Sequence, residues 1–505
     1  MNQIRISRKL IDYNNYLDIS KSVKNIIILS INNLQNEKKL NVILTAIAHH
    51  LILDLYKLAK VAFELDLIKK NKLTKDILSF SNIASYLTTK TKKTNLNIFG
   101  NNAIYSSRKN ILSNIKNSIR FYQARYHLKF SKNNLFLHNQ SYLLNPLITG
   151  KKSPILLRPE QWPKSFINNS ECDIIISIIR NEFKNLLLDL GINKQIIKKT
   201  LDILEILIKP KIIYSLSFYS VCDSVDFKNV KNKFIIGGAP QILGKILNYF
   251  FINNGGKVRR FAHGGDRVFF SDFFWGISEL PFCNEYYVHS KAEKIFLKQK
   301  LKKNKIYDIN NSNLLIKTNG SPKHHKILNN VKAKKGNKKI MFVPGSLLGE
   351  DHQALPEFKM PDYLIIDYQI WLLKTLKLFK FDLSVKVHPF GIKQSKFINN
   401  FCEKIITSRF DISQNNSSVL IFDFAGSAFF DSLASNKGII LLDTGIRPFF
   451  SEALLDLKKR CNVVKSFFDK KNRIRFDAHE LKVAIDKALN FSEVSVGFSE
   501  KYFFK

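Results

Sequence analysis

Cysteine is scarce, with five in 505 residues. The five (Cys172, Cys222, Cys283, Cys402 and Cys461) form no Cys-x-x-Cys pair and have no histidine at zinc-ligand spacing. So scattered and odd a set argues against a disulfide scaffold or a structural zinc, and for reduced thiols in a reducing compartment. Uninterrupted apolar runs of about 20 residues, the length that spans a bilayer, are also lacking. Residues 1–10 are polar and charged, without the apolar centre of a secretion signal. A soluble, cytoplasmic protein is expected. Acid is short as well: 41 Asp and Glu stand against 80 Lys and Arg, a formal net charge of +39. That excess suits a polyanion, whether nucleic acid, anionic lipid headgroups or a phosphorylated substrate. Runs such as Lys69-Lys70-Asn71-Lys72 are explained equally by codon bias toward Lys and Asn. No basic stretch carries the interleaved aromatics and glycines of a single-strand or RNA reader, so nucleic acid is not the expected partner.

What is present is enough apolar material, 45% of residues, to build real cores. At this length two or three domains are expected. Residues 1–210 are mostly helical in pattern. Apolar residues at helical spacing over 42–65 predict a buried amphipathic helix, with His49 and His50 inside it. Residues 113–127 form another helical stretch with basic and aromatic faces. Prolines punctuate 154–163, which reads as a loop or an extended edge, and 172–208 returns to long helices. This region shows no repeat and no catalytic motif.

From Ile212 onward short apolar strands alternate with helices, the grammar of βαβ units and a parallel sheet. Strands are expected at 234–238, 257–263, 285–289 and 314–318. After a basic linker at 332–339 they resume at 340–343, 383–387, 419–422 and 438–442, and helices fill most of the rest. The expected fold is α/β, with two Rossmann-like domains facing a cleft and a helix-rich N-terminal elaboration. The expected divisions are 1–210, 211–331 and 332–505.

In open α/β sheets, ligands bind outside the carboxyl ends of the strands. The distinctive residues of the second sheet fall at such ends: Gly345-Ser346, Lys386 with His388-Pro389, Gly426-Ser427, and Thr444 in Asp443-Thr444-Gly445. Ser427 opens a helix, with Asp431 one turn in. It reads either as an ordinary N-cap or as an anion site built from free N–H groups, with Gly426 permitting close approach. His388 ends a strand that Pro389 stops, and with Lys386 it can donate to a phosphate or a ribose.

The series Lys386-Val387-His388-Pro389, then Asp423-Phe424-Ala425-Gly426-Ser427 running to Asp431, resembles the donor half of GT-B glycosyltransferases. The likeness is to bacterial surface-polysaccharide branches: capsule (and by extension lipopolysaccharide) transferases, CDP-glycerol glycerophosphotransferases, and sialyl- and Kdo-transferases. The resemblance implies that His388 and Ser427 hold the donor's nucleotide phosphate. Where many members have paired hydroxyl residues, this chain has Gly426. The resemblance also implies that the first sheet takes the acceptor, through the loop His263-Gly264-Gly265-Asp266-Arg267 and through Gly238. Asp266 or His263 would be the base of an inverting transfer. A Gly-Gly turn with a capping Asp accounts for the same loop.

The implied substrates are a CMP-, CDP- or UDP-linked sugar and a surface glycan or lipid-linked acceptor. Peripheral contact with an anionic inner membrane would be favoured by the positive charge. No cofactor and no metal are expected. Glu350-Asp351-His352 invite a metal reading, but no Asp-x-Asp motif stands at a matching strand end. A nucleotide-sugar epimerase of the same architecture and a basic polyanion-binding protein remain the alternative readings.

Overall fold

The computed structural model describes residues 12–70, 111–130, 135–137, 155–157, 159, 162, 169–231, 233–237, 241–262, 264–273, 275–303, 314–330, 338–345, 347, 362–388, 398–402, 404–408, 410–412 and 416–504. Two parallel sheets organise them. The first holds β1 (Leu135–Leu137), β2 (Ile155–Leu157), β3 (Phe234–Ile236), β4 (Lys257–Phe261), β5 (Glu285–Val288) and β6 (Leu315–Thr318), in the order β2-β1-β3-β4-β5-β6. Every neighbouring pair in it is parallel.

The second holds β7 (Lys339–Val343), β8 (Asp382–Lys386), β9 (Lys404–Ile406), β10 (Val419–Phe422), β11 (Gly438–Asp443), β12 (Asn462–Phe468) and β13 (Ile474–Phe476). Its order is β13-β12-β11-β10-β7-β8-β9, with only the β12–β13 pair antiparallel. Residues 419–422 read Val-Leu-Ile-Phe and all four are buried, as befits a central parallel strand covered on both faces. The α/β class with two Rossmann-like units is therefore as expected, and the strands from β3 to β11 lie where the alternation placed them, apart from β9.

The N-terminal region differs from expectation. Helices α1 (Tyr13–Asn33), α2 (Lys38–Lys69), α3 (Ile111–Phe130), α4 (Asn169–Asp189) and α5 (Lys194–Asp223) share one core with α6 (Ile242–Asn253), the helix after β3. β1 and β2 extend the first sheet, β2 being its edge strand, so the proline-flanked segment is the extended edge. The division expected at residue 210 falls inside α5, which runs through Pro210 without ending. A proline inside a helix costs about 3 kcal/mol. Sixteen buried side chains on both sides of it, Ile196 to Cys222, hold the helix together.

α2 is long and apolar enough to cross a membrane by length and composition, but 89% of its most apolar window is buried inside the fold. Asp54, within it, forms a buried ion pair with Lys211 of α5. It is a core helix.

The second unit contains α10 (Asp362–Leu378), α11 (Ser427–Leu433), α12 (Ser451–Arg460), α13 (Ala478–Leu489) and α14 (Val496–Tyr502). The hairpin β12–β13 stands where helices were expected. The units are joined at several places. Tyr16 of α1 enters the second core, its hydroxyl 2.9 Å from Glu64 and 2.7 Å from Tyr363. α14 crosses back to pack on α8 (Lys291–Lys303), the helix after β5. And Val268, Phe269, Phe270 and Phe296 of the first unit share a core with Phe429, Phe430, Leu457 and Tyr502 of the second.

Candidate active site

Within the second sheet the run β9-β8-β7-β10-β11-β12 is the doubly wound order 3-2-1-4-5-6, which reverses between β7 and β10. A ligand is expected outside the strand ends at such a switch point. Gly345 follows β7 and Asp423 follows β10, and the two are tied together. The Gly345 N–H donates to Asp423 Oδ1. Gln369 of α10 donates from Nε2 to Asp423 Oδ2 at 2.8 Å and to the Gly345 carbonyl at 3.0 Å. Burial pushes the Asp423 carboxyl up to about 6, against the lowering effect of these hydrogen bonds. The acid thus sits where the order of strands reverses, and fixes the loop that leaves β7.

The first sheet presents its own strand end to this region. After β4 the chain makes a short 3-10 turn, Gly265–Val268. An ideal Cβ on Gly264 would lie 2.7 Å from Asp266 Oδ1 and 3.0 Å from Ser427 Oγ. Side chains from the two sheets therefore flank Gly264, where any side chain would meet Asp266 and Ser427. Asp266 Oδ2 accepts from Arg447 Nη1 at 3.1 Å, and Arg447 Nε donates to Asp272 at 3.0 Å. The guanidinium carbon of Arg447 stands 3.6 Å from the centre of the Phe270 ring. Backbone bonds continue the contact, Ser271 N to the Pro448 carbonyl at 2.8 Å and Phe450 N to the Phe269 carbonyl at 3.0 Å. Since Arg447 follows β11 and Ser427 follows β10, the carboxyl ends of the two sheets meet here.

Other expected residues take different places. Gly426, not Ser427, is the N-cap of α11, so the cap has no side-chain bond, and Ser427 is the exposed first residue of the helix. The seven-residue length of α11 gives it only a short row of aligned peptides. The Asp431 carboxylate, expected at the donor, is taken up by Lys323 and by His324 Nε2, the latter at 2.9 Å. Both belong to α9 (Pro322–Asn330) of the first unit.

Ser321 contacts His324 Nδ1, so Ser321, His324 and Asp431 lie in series. Ser321 and His324 are 0% exposed, which makes the series a sealed joint without substrate access. Burial lowers the His324 pKa despite the nearby Asp431, so its neutral ring receives from Ser321 and donates to Asp431. Arg267, expected at the acceptor, turns inward to Glu279 at 2.5 Å and stacks on Trp275. Lys386 is buried, its ammonium donating to the Val387 carbonyl at 2.7 Å.

His388 is exposed just past β8, and Thr444 is half-buried just past β11. Beside Thr444, Asp443 Oδ1 accepts from Gly445 N at 2.9 Å, in a turn whose φ of +72° requires glycine. His263, Gly238, Ser346 and Pro389 lie outside the described residues, as do Glu350, Asp351 and His352.

Sequence reasoning missed Gln369, Arg447 and His324. Gln369 carried one signal: a lone amide on the apolar face of α10. Arg447 sits in an otherwise ordinary turn. Among the described residues no three His, Cys, Asp or Glu side chains gather as a metal site. The chemistry on offer is backbone N–H groups, a histidine and a hydroxyl for binding an anion, beside a carboxylate suited to orientation or proton transfer.

No protein-family model matches the chain, and no curated protein matches it significantly. Among solved structures it is similar to the UDP-GlcNAc 2-epimerase of Methanocaldococcus jannaschii, crystallised with UDP-GlcNAc and UDP. The likeness has 11% identity and a TM-score of 0.34, over 76% of this chain and 94% of that one. At those values it is silent on activity, and the strand orders above stand by themselves.

Proposed function

We propose that this chain is an enzyme that binds a nucleotide-activated sugar at the β7–β10 switch point and transfers the sugar to an acceptor held by the first sheet. One observation carries the reading: strand ends of both sheets converge, so that Asp266 and Ser427 flank Gly264. In this reading His388, Ser427 and Thr444 face the nucleotide and its phosphates, with Gly345 and Gly426 permitting close approach. Asp266 or His263 removes the acceptor proton. Asp266 in its pair with Arg447 is placed to orient an acceptor hydroxyl as readily as to deprotonate it. The resemblance to surface-polysaccharide transferases adds a CMP-, CDP- or UDP-linked donor and a glycan or lipid-linked acceptor.

The test is thermal stability of the purified chain with CMP, CDP, UDP, GDP and ADP. A ligand at about 100 times its Kd stabilises by roughly 2.7 kcal/mol, a clear shift in Tm. A rise with one pyrimidine nucleotide, reduced in His388→Ala without loss of basal Tm, is expected. No shift with any of the five, from a well-folded sample, would overturn the proposal. Once a nucleotide is found, conversion of its sugar without an acceptor would assign the chain to epimerisation instead.

A further inference from the structure

One helix is polarised the wrong way for a surface helix. α3 packs inward through Phe121, Ala124 and Leu128, which are buried, with Phe121 edge-on to Trp162 at 5.2 Å. The opposite face carries Ile119, Tyr122, Tyr126 and Phe130, 53% to 65% exposed. Spacings of three, four and four residues set these four in one stripe along the helix. A face directed to water ordinarily alternates charge and polarity, whereas this one is apolar and aromatic along its centre.

Its edges are basic. Arg125 and Lys129 are exposed along one side, Lys129 standing 3.6 Å from Asp226, and Arg120 and His127 are half-buried toward the other. No acidic residue occurs anywhere in the helix. The Lys129 ammonium stands 5.3 Å from the Phe130 ring centre, and Tyr126 and Phe130 have ring centres 5.1 Å apart.

We infer that the outer face of α3 is a docking surface for an anionic lipid bilayer, with the aromatic stripe at headgroup depth and the cations on lipid phosphates. Tyrosine and phenylalanine in a row, bordered by Lys and Arg, are the composition of an interfacial helix lying in the membrane plane. Charge selects among occupants. A second copy of a chain of net charge +39 is repelled, whereas an anionic leaflet is attracted. A nucleic-acid surface interleaves cations with its stacking aromatics along a groove. Here the apolar residues are contiguous and the cations flank them. The inference is independent of the crevice chemistry.

The experiment is co-sedimentation of the full chain with vesicles of phosphatidylcholine alone and of phosphatidylcholine with phosphatidylglycerol, at low and high salt. Binding to the anionic vesicles about tenfold or more above the neutral ones, weakening with salt, is expected. The variant Tyr122→Ser/Tyr126→Ser/Phe130→Ser keeps every charge and should keep its Tm, since all three side chains are exposed. It should lose about tenfold in anionic-vesicle binding. Arg125→Glu, on the same face, should lose several-fold.

Absence of wild-type binding to the anionic vesicles would overturn the inference, as would equal binding by the triple variant. So would self-association in sedimentation velocity, or RNA binding, that the triple variant abolishes while its vesicle binding persists.

Discussion

Gly264 and Gly265 are neighbours in the chain, yet a methyl group at each meets different matter. At 265 an ideal Cβ would fall 1.9 Å from Phe430 Cε1, inside a packed ring of the shared core. At 264 its nearest contacts would be Asp266 Oδ1 and Ser427 Oγ, the ends of side chains, of which Asp266 is held by Arg447. Gly265→Ala should therefore lower stability by about 1–3 kcal/mol through overpacking. Gly264→Ala should cost less than Gly265→Ala, because it meets side-chain ends rather than a ring, yet displace Asp266 or Ser427 and suppress turnover by about tenfold or more. Denaturation of both variants beside a turnover assay separates the two effects. Equal stability losses would remove the distinction drawn between them. The loop was legible in the sequence as an unusual turn of histidine, glycines and aspartate. Its partners Phe430, Ser427 and Arg447 were not, because each comes from the other sheet.

Among the elements, the loop after β7 depends on a single acid after β10. Asp423 has its carboxyl raised by burial to about 6, whereas an unfolded aspartate titrates near 3.9. Between those values the folded chain holds a proton that the unfolded chain has released. The stability this group contributes is thus fully present below about pH 4 and is lost as pH rises through about 6. Asp423→Asn cannot titrate, and its amide sets a donor against Gln369 Nε2, a cost of about 1–3 kcal/mol. The stability gap between wild type and variant should narrow by about 2–3 kcal/mol from pH 4 to pH 7, measured by urea unfolding. A gap that stays constant over that range would show that Asp423 is not held as described. The same pairing explains why Asp431 was misplaced from sequence. One turn into α11 it resembles a ligand-facing acid, but Lys323 and His324 of α9 take its carboxylate. Although burial alone would raise its pKa, those two partners hold it below the usual range.

At the scale of the whole molecule, the two sheets are fused rather than merely tethered. Phe269 is 0% exposed, with ring centres of Phe429, Phe430 and Tyr502 at 6.3, 5.9 and 5.1 Å. Tyr16 and α14 cross the same divide at other points. One cooperative unfolding transition is expected from such sharing. Phe269→Ala should cost about 3–5 kcal/mol and resolve two calorimetric transitions, because it empties the centre of the joint. A single transition, shifted as a whole, would place the coupling elsewhere, at Tyr16 or at α14.

The sequence by itself placed four of the second unit's seven strands, β7, β8, β10 and β11, and missed β9 and the β12–β13 hairpin. Three of those four, β7, β10 and β11, are short, largely apolar and closed by Pro or Asp, and these are local properties that survive without tertiary context. Tertiary structure alone decided how the N-terminal region joins the first sheet. Its two strands are three residues each, too short for a periodic signal, and the proline that resembled a boundary is overridden by packing on both sides. It also decided which polar residues meet. The Asp266–Arg447 and His324–Asp431 contacts span 181 and 107 residues of chain, and no local pattern encodes a partner at such a distance. Each of those pairs exists because the carboxyl ends of two sheets were brought together, which is a property of the assembled fold.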